Sequence, residues 1–472
     1  MIKSVAKVFS GIENKFEFAP FETIISPIIQ DVLQEKQKDK FRKGTLLTPR
    51  LSVWLCFALA LRRNLNCQKT LDWLLAGLRW KSLKFNGKFV KDGTISRART
   101  RMGFELFHTI FHRFTMTFKD TVSADFHGMK TFMFDGTSLT TPDTESNREE
   151  FGKHTSGRGR GAFPQIRAVA LMGLIGRRIV DVAYAPCRGK KTGEKTLMFK
   201  ILRKFSIRNS LLLFDAGFYS FNLVDYMHKN GFKYILKIAK SVKLKQLPGS
   251  LMADGSYMSK IMGKIVVGKN PKNGRNIWEK VEIVVRVIHF QIPGFPPVRL
   301  ITNLSGPAIT AKEIVIHYHK RWDIEIAFDE IKTHQCATLK GHAPTIFRSK
   351  RSDLVKQELY CILIMYNLIR TLIIKAIQTE DADPLSISFL ETLDLIVQAV
   401  PLMSMMTGKT EEVHVFLLKM IANLKIDRPR RPRRNPRVTK IKMSNFKRKR
   451  RKDKSETFNL EQDLEILYQK AA

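Results

Sequence analysis

The chain has 472 residues, too many for one ordinary domain, and its 44% apolar fraction excludes wholesale disorder. Its 82 Lys and Arg against 43 Asp and Glu give a net charge of +39. Only a polyanion neutralises such an excess well, so nucleic acid is the expected partner. Cys56, Cys67, Cys187, Cys336 and Cys361 are odd in number and scattered without a CxxC pair, which fits a reducing cytosol better than a disulfide framework or a zinc ribbon.

In chain order, residues 1 to about 120 read as helical. ISPIIQDVLQEKQKD, TPRLSVWLCFALAL and QKTLDWLLAGL carry apolar positions at helical spacing. TISRARTRMGFELFHTIFHRF adds an amphipathic helix with Thr94 or Ser96 as its expected cap, and its first turns bring Arg97, Arg99 and Arg101 together. Two helices followed by a basic one suit either a helix-turn-helix reader of a major groove or a solvated basic face. Near residue 130 the pattern turns to strands, TFMFDGTSLTTP, AFPQIRAVALMGLI and RRIVDVAYAP. The helix TGEKTLMFKILRKF, the buried strand SLLLFDAGFYS, the helix FNLVDYMHKNG and the strand KYILKIAK follow. The order βββαβαβ predicts an α/β fold of ribonuclease-H-like type.

Residues 241–297 lack a crossover helix and read as a β-rich insertion, with SKIMGKIVVG and EKVEIVVRVIHFQI pairing around KNPKNGRN. VRLITNL then leads to a long helix over 311–335, and residues 350–424 are helical again. The stretch 359–377 is the best membrane candidate, but Asn367 and Arg370 interrupt it, so a buried core helix is expected and no membrane partner. Residues 428–452 hold 14 Lys or Arg and no acid, which leaves +25 on the remainder. The expected division is a helical N-terminal domain (1–125), the first part of the core (126–240), the insertion (241–297), the end of the core (298–345), a helical region (346–425) and a basic tail (426–472).

Chemistry concentrates at three places. Asp135 and Asp215 each end an apolar strand and precede a small residue, which presents a carboxylate at the sheet edge; Asp is also a common turn former there. On the 311–335 helix, Tyr318, Arg321, Glu325 and Lys332 fall within about 60° of arc, beside the apolar flank Ile324, Phe328 and Ile331. Asp329, some 40° from Glu325, is the alternative third carboxylate. Carboxylates without His or Cys select hard divalent ions, Mg²⁺ or Mn²⁺, and two such ions suit in-line phosphoryl displacement. His334 and Cys336 lack a second pair at zinc spacing.

The spacing Tyr, two residues, Arg, three, Glu, six, Lys resembles the signature of bacterial DDE transposases of the insertion-sequence-four family. FDGTSLTTPDT and LLLFDAGFYS are similar to that family's two Asp segments, and the resemblance extends over nearly the whole chain. It implies a metal-binding catalytic triad of Asp135, Asp215 and Glu325, with Tyr318, Arg321 and Lys332 on DNA phosphates. It also implies a β-rich insertion whose aromatic, Trp278 here, stacks on a flipped base; packing within the insertion is the competing role. The expectation is a cytoplasmic transposase acting on double-stranded DNA, both element ends and target, as a homodimer in the DNA complex. Arg97 and Arg101 are candidate DNA contacts. A catalytically inactive DNA-binding derivative and a ribonuclease-H-like nuclease or resolvase are the alternatives.

Overall fold

A computed structural model describes residues 18–426 apart from 19, 43–44, 46, 83–89, 119–122, 157–158, 272, 337–345, 379–381 and 407–408, together with 433–434 and 456–467. Apart from Arg433 and Arg434, the basic run 428–452 lies outside the described residues. The chain divides into two units, one of Met1–Ser123, Phe134–Ile207 and Asp323–Ile426, the other of Ala124–Met133, Arg208–Trp322 and Asp427–Ala472.

The first unit begins with helices α1 (Glu22–Glu35), α2 (Pro49–Leu61), α3 (Cys67–Leu74), α4 (Ala76–Ser82) and α5 (Asp92–Met116). Thr48 caps α2 by accepting the Leu51 amide, and Pro49 follows at the first helical position, where its missing N–H costs nothing. Helix α5 starts earlier than Thr94 or Ser96 would have it. Lys91 precedes it without a side-chain cap, and Asp92 sets a carboxylate against the positive helix end. Gly103, at φ 68°, breaks the helical path within α5.

Strand β1 (Lys130–Thr140) passes from one unit into the other. In the first unit follow α6 (Glu145–Phe151), β2 (Lys153–Ser156), β3 (Gly159–Gly173), β4 (Ile179–Pro186) and α7 (Glu194–Leu202). The second unit holds β5 (Ser210–Phe214), α8 (Phe221–Lys229), β6 (Lys233–Ile238), β7 (Gln246–Leu251), β8 (Tyr257–Lys269), β9 (Asn276–Gln291), β10 (Val298–Thr302) and α9 (Ala311–His319). Around β1 the strand order is β4-β3-β1-β5-β6, with β5 parallel to both β1 and β6 and β4 antiparallel to β3. This is the ribonuclease-H-like arrangement, in a mixed α/β fold. Strands β8 and β9 form the long hairpin expected of the insertion, paired from Tyr257↔Val287 to Lys269↔Asn276 with a one-residue register shift between Val266 and Gly268.

The predicted single helix over 311–335 is not continuous. After α9 come a 3₁₀ turn (Lys320–Trp322), α10 (Asp323–Asp329) and a π-helical turn (Glu330–Gln335), within which the Cys336 amide donates to the Ile331 carbonyl. The 100° wheel therefore holds only piecewise along this segment. The turn sits where Glu330 is drawn into a buried network of the first unit. Its carboxylate receives Arg177 Nη1 at 3.2 Å and the Tyr366 hydroxyl at 3.0 Å, and it pairs with Arg370.

Helices α11 (Ser352–Ala376), α12 (Phe389–Met403) and α13 (Thr410–Ala422) complete the first unit. By length and composition α11 could cross a membrane, yet 89% of its apolar window is buried inside the protein. Both interrupting residues have protein partners: Asn367 exchanges two hydrogen bonds of 2.8 Å with the Ile179 backbone, and Arg370 holds Glu330. Helices α4 and α12 meet at Gly77, where a Cβ would overlap Ser404 Oγ and the Pro401 carbonyl. Gly77→Ala is expected to cost about 1–3 kcal/mol, measured as a fall in unfolding free energy in urea.

Candidate functional site

Four of the five residues before Asp135 on β1 are fully buried. Contrary to the expectation from the sequence, the strand does not end at Asp135 but runs on to Thr140; it is burial that ends there, at the half-buried Asp135 of the first unit. Its Oδ1 accepts the Gly136 amide at 2.8 Å, fixing the carboxylate against the strand. Gly136 lies beneath the carboxylate of Glu194, the first residue of α7: a Cβ at Gly136 would stand 2.6–3.0 Å from it, so the exposed Glu194 side chain would have to move aside. Glu194 was not singled out from the sequence; TGEKT reads simply as a helix start, and nothing in it reports the neighbour across the fold.

The π turn of the same unit carries Lys332, whose amine donates to Thr137 Oγ1, two residues beyond Asp135. Burial lowers the Lys332 amine below its usual range, and the negative Asp135 opposes that shift. Lys332 and Asp135 thus act on each other electrostatically, a pairing that the helical wheel, which grouped Lys332 with Tyr318, Arg321 and Glu325, does not contain. Glu325 lies half-buried on α10, between Ile324 and Ala327 on its buried side. Arg177 binds Asp323 at 2.8 Å and Glu330 at 3.2 Å, so α10 is pinned at both ends to one guanidinium. The rival Asp329 is exposed and engaged elsewhere, accepting from Thr333 Oγ1 at 2.7 Å with His334 Nε2 at 3.7 Å.

In the second unit, the parallel register of β1 with β5 ends at Met133↔Leu213, two residues short of Asp135 and of Asp215 respectively. Asp215 follows the fully buried run Ser210–Phe214 and opens a short 3₁₀ turn. Its side chain is 39% exposed, with Lys237 Nζ 3.8 Å from Oδ1. Tyr318, buried on α9, donates its hydroxyl to the Phe214 carbonyl at 3.1 Å and so fixes the residue before Asp215. Arg321 is buried beside the half-exposed Trp322, 5.9 Å from its ring.

The remaining candidates are dispersed. Trp278 is 56% exposed on β9, with exposed Val266, Val267 and Ile277 near it on the hairpin, and so is not a core residue of the insertion. Arg97 and Arg101 are exposed; Arg97 donates to Thr94 Oγ1 and Arg101 to the Leu47 carbonyl. Arg99 is different, held inside against Glu358, Gln357 and Ser349. Among the described residues, no three His, Cys, Asp or Glu side chains stand close enough together to hold a metal ion. In chemistry the carboxylate set suits a hard divalent cation, and that is the extent of the fit.

Comparisons with known proteins bear on most of the chain. A family profile described as "Transposase DDE domain" matches residues 127–368, and one described as "Insertion element 4 transposase N-terminal" matches residues 19–112. The chain is 25% identical over 400 residues to "Transposase InsG for insertion sequence element IS4" of Escherichia coli K12, covering 83% of this chain and 84% of that protein. "Putative transposase InsZ" of the same organism is 27% identical over 161 residues, which cover 32% of this chain and 52% of that protein. A solved piggyBac transposase synaptic complex with hairpin DNA is similar at a TM-score of 0.43 and 11% identity, over 91% of this chain and 86% of that one.

Proposed function

The chain belongs to the DDE transposase family, in its insertion-element-4 branch, and we propose that it binds the terminal inverted repeats of its element and catalyses cleavage and strand transfer there. The observation that carries this reading is the register of β1 on β5, which stops two residues before each of two carboxylates, Asp135 and Asp215. Glu325 is the third member of the proposed triad. These side chains would hold Mg²⁺ or Mn²⁺, which when bound in a pair supplies activation of the attacking oxygen and stabilisation of the leaving one.

The protein's own residues would position the DNA. Lys332 and Arg321 are assigned to phosphates flanking the scissile bond, where a cation meets an anion that water would otherwise shield. Tyr318 is assigned with them, and its bond to the Phe214 carbonyl also steadies the Asp215 strand end. Trp278 offers an exposed π-face for a base, and Arg97 and Arg101 lie on a helix of the N-terminal domain assigned to DNA binding. We assign a cytoplasmic location and a homodimer, because two ends must be held at once.

The test is cleavage of duplexes carrying the element's own ends against random duplexes, with Mg²⁺ or with EDTA. Metal-dependent nicking at the ends alone is expected. Equal cutting of random duplex would favour a nuclease, and end binding without cutting a catalytically inactive derivative. Deleting residues 428–452 is expected to weaken binding to any duplex about equally and to flatten its salt dependence, read from binding isotherms at several salt concentrations.

A further inference from the structure

Away from these carboxylates, one cavity of the first unit joins open space to metal-binding side chains. It measures about 220 Å³, and His108, His112, Asp181 and Lys204 line it. His108 and His112 stand one turn apart on α5, beyond the break at Gly103. Their Nε2 atoms are 3.0 Å apart and their rings meet edge to face, with centroids 4.4 Å apart and planes at 68°.

We propose that His108 and His112 chelate a borderline divalent transition ion such as Zn²⁺ through both Nε2 atoms. An ion bonded to each nitrogen at about 2.0–2.1 Å would subtend roughly 90–95° at this separation, within reach of ordinary imidazole coordination after a small ring rotation. Imidazole suits zinc and its neighbours, whereas Mg²⁺ prefers oxygen, so the pair and the carboxylates select different ions. The rings are already oriented. His108 packs edge-on against Tyr360 at 5.0 Å, and His112 packs against Phe111 at 5.4 Å. On the far side of the His112 ring, Asp181 Oδ1 accepts the Val182 amide and lies 3.9 Å from Nδ1, from where a small closure would let it accept the Nδ1 proton as carboxylates behind metal-bound histidines do. No third His, Cys, Asp or Glu among the described residues completes the shell, so water or an anion near Lys204 fills it from the cavity. A bound ion would clip one turn of α5 and stiffen it.

The experiment titrates untagged full-length protein with Zn²⁺ by calorimetry, in buffer already holding millimolar Mg²⁺ to occupy oxygen-rich sites. One ion per chain is expected. His108→Gln and His112→Gln should each weaken binding about tenfold or more, and Asp181→Asn about tenfold. Zinc should raise the melting temperature of the parent protein and not of the His108→Gln/His112→Gln variant. The same variant's circular dichroism and metal-free melting separate loss of the ligands from loss of the fold. Absence of zinc uptake by the parent protein, or equal uptake by the double variant, would overturn the proposal and leave an N–H···N bond between two neutral rings.

Discussion

Replacing Glu325 by Gln is expected to slow metal-dependent cleavage of the element's ends by about a thousandfold or more, with end binding within a few-fold of normal. The size follows from losing one carboxylate at a site where charge stabilisation contributes several kcal/mol, each 1.36 kcal/mol being tenfold in rate. Gln keeps the shape between Ile324 and Ala327, so the fold should survive and melting should confirm it. Asp135→Asn and Asp215→Asn should behave alike. Asp329→Asn is the internal comparison. Its carboxylate is turned to Thr333 and His334, and cleavage should remain near normal. Undiminished cleavage by Glu325→Gln, with loss in Asp329→Asn, would transfer the third position to Asp329.

The largest expected effect on stability comes from Glu358→Gln. This buried carboxylate lies 3.6 Å from Arg63 and 3.6 Å from Arg99, accepts the Arg348 amide at 2.9 Å and takes the Ser349 hydroxyl at 2.9 Å. Removing its charge leaves buried guanidinium groups without compensation, at a cost of about 3–5 kcal/mol in unfolding free energy by chemical denaturation. A loss below about 1 kcal/mol would mean that the cluster is solvated in solution. Burial alone would raise the Glu358 carboxyl, but Arg63, Arg99 and Arg348 outweigh it and hold the group below its ordinary range. The folded value lies below the unfolded one. The stabilisation is therefore present above about pH 4.3 and is lost as pH falls through the folded value. The parent protein should lose stability more steeply on that acid limb than Glu358→Gln does.

What the sequence made legible was local. Apolar runs ending in Asp135 and Asp215 announce strands delivering carboxylates, because burial and strand period are written in adjacent residues. The β8–β9 hairpin was readable for the same reason. What escaped depends on partners distant in the chain. Arg99 belongs to an outward-looking arginine trio in the sequence, yet Glu358 holds it inside. Glu194 becomes visible only when Gly136 is found beneath it. The wheel drawn through 311–335 assumed α-helical steps, and it could not include the pull of Arg177, Tyr366 and Arg370 on Glu330.

The π turn at Glu330–Gln335 has the form of a one-residue insertion accommodated without breaking the helix. Excising a single residue from it would leave both flanking stretches able to stay helical, but would turn everything downstream by about 100°. If the residue removed were Ile331, the Lys332 amine would swing away from Thr137 while Glu330 kept its buried anchors.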